Sequence, residues 1–220
     1  MLYVVPTPVG NLSDITFRAI EVLQSVDLIL AEDTRHSGKL LKHFQIETPM
    51  RSYHAHNEHK IVEGIVDEIK KGKSMALITD AGTPGISDPG FLLIHAFKNE
   101  NITVTTLPGP TAFVPALVSS GIPCDKFFFE GFLPVKKGRK TRFLWLYELN
   151  TTIVLYESPF RLIKTLKEIE EYFGKERKVC VAREISKVYE EIVTGSVEEI
   201  KQQFDSRPKI KGEIVLIISK

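Results

Sequence analysis

The chain is poor in the residues that mark several large classes of protein. Two cysteines occur in 220 residues. Cys124 and Cys180 lie far apart at no metal-ligand spacing, so neither a disulfide framework nor a metal site is expected, and a reduced, cytosolic setting fits best. Cys180 sits in the apolar run "VCVA" and reads as a core residue. No apolar run approaches membrane-spanning length. The amino-terminal "MLYVVPTPVG" lacks the basic lead and long apolar stretch of a signal peptide. No membrane partner is therefore expected. Net charge is +1, so any nucleic-acid binding must come from a local patch. A more pointed absence is internal: no lysine or arginine occurs from Ser74 to Phe97, a stretch that contains "ITDAGTPGISDPG" (78–90).

What is present is an ordinary globular composition, 43% apolar and 26% charged, long enough for one large domain or two small ones. The first half alternates short apolar runs with helical periods. "LYVV" (2–5), "DLILAE" (27–32), "SMALIT" (74–79) and "ITVTTL" (102–107) read as buried parallel strands. Between them, Ile61, Val62, Ile65, Val66 and Ile69 repeat with helical spacing. A helix is expected at "DPGFLLIHAF", capped by Asp88 with Pro89 first. The rhythm predicts an α/β domain over residues 1–120 with a mostly parallel sheet. "SSGIPCDKFFFEGFLP" (119–134) reads as a linker into a smaller α/β domain, residues 121–220, with a mixed sheet. That domain has strands at 151–156, 177–182, 189–195 and 212–219. It has a helix over 159–173, capped by Ser158 and ended by Gly174, and another opened by the capping box "SVEE" (196–199).

In a parallel sheet the ligand lies beyond the carboxyl ends of the strands. There the sequence places "PTPVGN" (6–11), "EDTR" (32–35), "DAGTPGISD" (80–88) and "PGPTA" (108–112). Residues 80–90 lack the lysine followed by Ser or Thr that a P-loop needs, and the dinucleotide fingerprint is absent. Asp80 and Asp88 would repel a pyrophosphate. A ligand suited to such a loop carries hydroxyls and positive charge, as S-adenosylmethionine does. The alternative is a purely structural strand-to-helix turn.

The ordered segments "PTPVGNLSDIT", "AEDTRHSGKLLKHFQI", "DAGTPGISDPG", "PGPTAFVPALVSSGIP", "GFLP", "YESPFR" and "REISKVYEE" resemble the 16S ribosomal RNA cytidine 2′-O-methyltransferase family, a branch of the tetrapyrrole-methylase superfamily. The resemblance spans nearly the whole chain. It implies two α/β domains with a ligand cleft between them, a homodimer, and S-adenosyl-L-methionine as cofactor. It also implies methylation of a cytidine ribose in small-subunit ribosomal RNA, free or within the assembled 30S subunit. Carried over residue by residue, it implies cofactor contacts from Pro8 and Gly10, from Gly82, Thr83, Pro84 and Ile86, and from Thr111 and Ala112. Asp80, which opens the second of these loops, joins them, and the resemblance further implies that Gly212 in "KGE" closes the adenine pocket.

A ribose 2′-hydroxyl is a weak acid, so an acceptor or base should help it attack. Candidates are Glu32, Asp33, Arg35, His54, His56, Asn57, Glu58, Glu184 and Lys187. Asp33 could instead cap the helix starting at Thr34, and Arg35 could bind phosphate or pair with a neighbouring carboxylate. His56 has the intrinsic acidity of a general base, or belongs to a surface turn with Asn57 capping a helix. Glu184 and Lys187 form a charge-paired catalytic group or a structural salt bridge. "KKGRKTR" gathers Lys136, Lys137, Arg139, Lys140 and Arg142, read as an RNA-phosphate patch against the default of a solvated basic loop. Rival functions are a methylase of tetrapyrroles or other metabolites, a non-catalytic RNA-binding ribosome-assembly factor, and a nucleotide-dependent oxidoreductase.

Overall fold

Short β-branched runs alternate with amphipathic helices along the first half, and in the computed structural model, which describes residues 1–220, they build a doubly wound sheet. The elements are β1 (Leu2–Val4), α1 (Phe17–Ser25), β2 (Leu28–Ala31), α2 (Thr34–His43), β3 (Met50–Ser52), α3 (Glu58–Lys70), β4 (Met75–Ile78), α4 (Phe91–Asn99) and β5 (Val104–Thr106). Strand order is β3-β2-β4-β1-β5, and every pairing is parallel. Alternate residues feed two cores, because successive side chains in a strand point to opposite faces. Leu2, Val4, Leu28, Leu30, Met75 and Leu77 pack with Ile65 and Ile69 of α3 and Leu93 and Phe97 of α4. Val5, Ile29, Ala31, Ala76 and Ile78 pack with Val22 and Leu23 of α1 and Leu41 of α2.

The second half contains α5 (Phe113–Ser119), β6 (Phe127–Phe132), α6 (Arg139–Tyr147), β7 (Thr152–Glu157), α7 (Leu162–Phe173), β8 (Lys178–Arg183), β9 (Glu191–Ser196), α8 (Val197–Asp205) and β10 (Ile214–Ile218). Its sheet runs β6-β7-β10-β8-β9; β6 and β7 are parallel and the other pairings antiparallel, so it is mixed. One face packs on Phe143, Leu166, Ile169, Ile200 and Phe204 from α6, α7 and α8. No helix is long and apolar enough to cross a membrane.

The chain divides into compact units Met1–Thr111 and Ala112–Lys220. The expected boundary at residue 120 lies after α5, whereas α5 packs on β7 and β10 of the second sheet. The physical reason is that sheet's other face, where Val154, Cys180 and Ile217 are buried and need cover. Three local expectations are also corrected. The segment 119–134 is not all linker, since Phe127–Phe132 is a strand paired with β7. Its register shifts between Phe129 and Gly131, where Gly131 takes φ 69°, so the break in the pattern is a β-bulge with Glu130 as the extra residue. The helix after the Gly/Pro loop begins at Phe91, not at Pro89, because Gly90 at φ 144° interrupts the chain. The helix expected from 159 begins at Leu162, after a turn in which Ser158 Oγ accepts from the Phe160 amide. The capping box at Ser196 and Glu199 and the stop at Gly174 are as expected.

Candidate active site at the carboxyl rim of the first sheet

Parallel strands deliver all their outgoing loops to one edge, so the four Gly/Pro and acidic segments meet at the carboxyl ends of β1, β2, β4 and β5. Thr7, just past β1, and Gly82, past β4, exchange backbone hydrogen bonds of 2.9 Å in both directions. The Thr7 hydroxyl, buried, donates to the Thr79 carbonyl at 2.9 Å. The Thr83 hydroxyl donates to the Pro110 carbonyl at 3.1 Å, tying the loop after β4 to the turn after β5. A Cβ at Gly109 would lie 2.8 Å from Pro6 Cβ, so that turn and the loop after β1 also touch. Gly82 and Gly85 hold φ of 82° and 85°, a conformation open to glycine that leaves main chain uncovered by side chain. Pro8, Gly82 and Pro84 are buried, whereas Gly10 and Ile86 are exposed on the rim. Thr111 and Ala112 are half-buried, and Ala112 begins the second unit as the residue before α5.

The acidic side of the rim is held by the same logic. The Thr79 hydroxyl donates to Glu32 Oε2 at 2.5 Å. The Asp33 amide donates to Asp80 Oδ1 at 3.3 Å. Burial and then the nearby Glu32 carboxylate push the Asp80 carboxyl above its ordinary range. Asp33 caps α2, accepting from the Arg35 amide at 2.8 Å, and its carboxylate also takes the Arg35 guanidinium at 3.1 and 2.7 Å. That guanidinium, then the same helix amide, hold the Asp33 carboxyl far below the usual range. Both residues are thus engaged with one another. Thr7 and Thr79 were not singled out from the sequence; the signal was a hydroxyl within three residues of the end of each of two apolar strands.

After β3, Asn57 precedes α3 but does not cap it with its side chain, contrary to expectation. Its amide oxygen instead accepts from the His54 backbone at 2.9 Å, and its nitrogen donates to the Ser52 carbonyl at 3.1 Å. This pins the turn. His56 is exposed on it, 5.8 Å between ring centres from His54, and without a hydrogen bond. No group of three or more His, Cys, Asp or Glu side chains is placed to hold a metal ion.

In the second unit, Lys187 Nζ donates to Glu184 Oε1 and Glu213 Oε2, both at 2.9 Å, and the Glu213 amide donates to Glu184 Oε1 at 3.0 Å. The Lys187 ammonium holds the Glu184 carboxyl low. Burial opposes the Lys187 charge, but its two carboxylate bonds outweigh it and raise its affinity for the proton. Gly212 is at φ 93°, and a Cβ there would meet Glu184 Cγ at 2.4 Å, so glycine is required for the clasp. The pair is built as a salt bridge.

The basic run separates into two populations. Arg139, expected to touch RNA, has a side chain only 4% exposed. It is bound to Glu168 at 2.8 Å, the Thr165 hydroxyl at 2.6 Å and the Pro134 carbonyl at 3.0 Å. Arg142 donates to Glu130 at 2.7 Å and lies 4.0 Å over the Trp145 ring. Only Lys136, Lys137 and Lys140 are exposed and unpaired. The reason is periodicity: α6 begins at Arg139, so Arg139 and Arg142 fall on its inward side.

A five-stranded parallel sheet followed by a mixed five-stranded sheet is the architecture of this chain. Among solved structures, the uroporphyrin-III C-methyl transferase from Thermus thermophilus, complexed with S-adenyl homocysteine, shares it with a TM-score of 0.67 at 15% identity, over 100% of this chain and 97% of that one. The chain belongs to the family Tetrapyrrole (Corrin/Porphyrin) Methylases, matched over residues 1–201, and within it to the proteins named ribosomal RNA small subunit methyltransferase I. The Synechocystis sp. member is 48% identical over 100% of this chain and 78% of its own length. The Hydrogenobaculum sp. member is 45% identical over 100% of this chain and 95% of its own.

Proposed function

We propose that the protein transfers a methyl group from S-adenosyl-L-methionine to the ribose 2′-hydroxyl of a cytidine in 16S ribosomal RNA. The observation that carries this reading is the rim of the first sheet. There, glycine-rich loops are cross-tied by Thr7, Gly82 and Thr83 beside carboxylates, and the Arg35 guanidinium at the same edge is already occupied by Asp33. The residues present fit the cofactor, whose sulfonium and ammonium are positive and whose ribose and adenine need backbone partners. Whole-chain identity to the ribosomal RNA methyltransferases supports the acceptor.

When bound, S-adenosylmethionine supplies a methyl carbon already activated by its sulfonium. The chain's task is then orientation, since an in-line approach accounts for much of the rate. Gly82, Thr83, Pro84 and Ile86, with Pro8, Gly10, Thr111 and Ala112, are the residues assigned to hold it, and Asp80 sets negative charge beside it. Gly212 shapes its own loop. Among the candidate bases, Asp33 is spent on Arg35, and Glu184 and Lys187 on their clasp. Glu32 accepts from Thr79 and Glu58 from Tyr53, which leaves the histidine pair, and of these the exposed His56, rather than His54 with its buried Nδ1, is assigned to take the 2′-hydroxyl proton on an imidazole nitrogen. Lys136, Lys137 and Lys140 are assigned to RNA phosphates. The free thiols of Cys124 and Cys180 suit a cytoplasmic protein. Exposed Phe17, Phe160 and Val188 supply apolar surface for a homodimer.

Purified protein incubated with labelled methyl donor and undermethylated small subunits should place label on one cytidine ribose of 16S RNA. Label in a tetrapyrrole instead, or RNA binding without turnover, would overturn the assignment.

A further inference from the structure

Trp145 is the chain's single tryptophan, and it is 42% exposed on α6. Its ring is held. The Arg142 guanidinium lies 4.0 Å over it, and Phe128 meets it edge-on at 5.2 Å between centres. Arg142 is fixed in turn by Glu130, whose side chain is only 7% exposed and which occupies the β-bulge of β6. A guanidinium neutralised by a buried carboxylate is not available to phosphate. Its effect is to orient the indole while leaving much of the ring in water. Lys136 and Lys137 stand on the turn that enters the same helix and Lys140 in its first turn, all exposed and without carboxylate partners. The helix opens at Gly138 with no side-chain cap, so its first amides also present positive potential.

An oriented, half-exposed aromatic ring on a helix whose opening turn carries unpaired cations is a combination that binds single-stranded nucleic acid, the ring stacking on a base and the cations meeting phosphates along the strand. We infer that Trp145 is a stacking platform for an unpaired nucleobase of the RNA substrate, with the three lysines holding the adjoining backbone. This rests on the ribosomal-RNA reading above. Charge decides between RNA and a second copy of the chain. A symmetric dimer through this face would set two uncompensated lysine clusters against each other, whereas RNA neutralises them.

Because the chain has one tryptophan, its fluorescence reports this ring alone. The probe is a cytidine-containing single-stranded oligoribonucleotide of about 12 nucleotides, within single-strand site sizes, with its duplex as control. The single strand should quench the emission saturably. Trp145→Ala should weaken binding by about 5- to 150-fold. Trp145→Phe should restore most of the affinity, and both variants should keep wild-type melting and cofactor binding. Unchanged emission and unchanged affinity of Trp145→Ala, with methylation of small subunits intact, would overturn the platform and leave the substrate reading standing. Emission that changes with protein concentration in the absence of RNA would assign the ring to self-association and likewise overturn it. Absence of both RNA binding and ribosomal methylation in the wild-type protein would bring down the substrate reading, and the platform with it.

Discussion

At the scale of single residues, two side chains of the same formal type can have opposite tasks. Arg139 and Lys140 are neighbours in a basic run, yet one is buried among Glu168, Glu157 and Thr165 and the other faces water. Removing one partner of a buried ion pair strands the remaining charges. Arg139→Ala should therefore cost about 3–5 kcal/mol in denaturant unfolding, while RNA affinity of the folded fraction stays unchanged. Asp80 gives the converse case, a carboxylate whose charge is opposed by burial and by the neighbouring Glu32. Asp80→Asn should weaken S-adenosylmethionine binding by roughly 10- to 100-fold, the range for a lost interaction with a charged group, as read by calorimetry, with little change in melting. The sequence showed that Asp33, Asp80 and Glu32 stand at strand ends. It also gave both readings of Arg35, and geometry selected the pairing with Asp33. The destination of Arg139 was illegible, because Glu168 lies 29 positions away on another helix.

At the scale of elements, periodicity was readable where strands and helices are regular, and it failed where the pattern is interrupted. The glycine in "EGF" looks like loop chemistry, but Gly131 serves a bulge inside β6, and the displaced Glu130 reaches Arg142. The Asp-Pro signal before α4 is sound turn chemistry, yet Gly90 stops it from propagating into the helix. The start of α6 has a direct consequence for RNA binding. A run of five cations in contact with single-stranded phosphates would give a salt slope of about −3.5, whereas three give about −2. The triple substitution of Lys136, Lys137 and Lys140 by Gln should therefore remove about 2 from the slope of log affinity against log salt, measured by filter binding. A wild-type slope near −3.5, of which about −1.4 survives in the triple variant, would return Arg139 and Arg142 to the interface.

At the scale of the whole molecule, each unit carries one glutamate that cations hold far below the ordinary 4.5. Arg51 and then Lys73 hold Glu68 at about 2, and Arg207 and then Arg183 hold Glu191 at about 2. A carboxyl with a depressed value in the native state stabilises it fully above the unfolded value and loses that contribution as acid protonates it. Both units should weaken as pH falls from about 4.5 towards 2, followed by circular dichroism. Glu68→Gln should flatten this dependence for the first unit and Glu191→Gln for the second. The parallel order β3-β2-β4-β1-β5 carries a consequence of a different kind. β1 leaves the ribosome before the other strands of its sheet, and both of its neighbours come much later, from Met75 and from Val104 onward. Until they arrive, its backbone donors and acceptors have no sheet to join, and closing so long a loop is slow. Nascent chains halted before Val104 should therefore be cut readily by protease around β1, and chains released past Thr111 should resist. Synthesis of this protein would then have a vulnerable interval that ends when the last strand of its first sheet emerges.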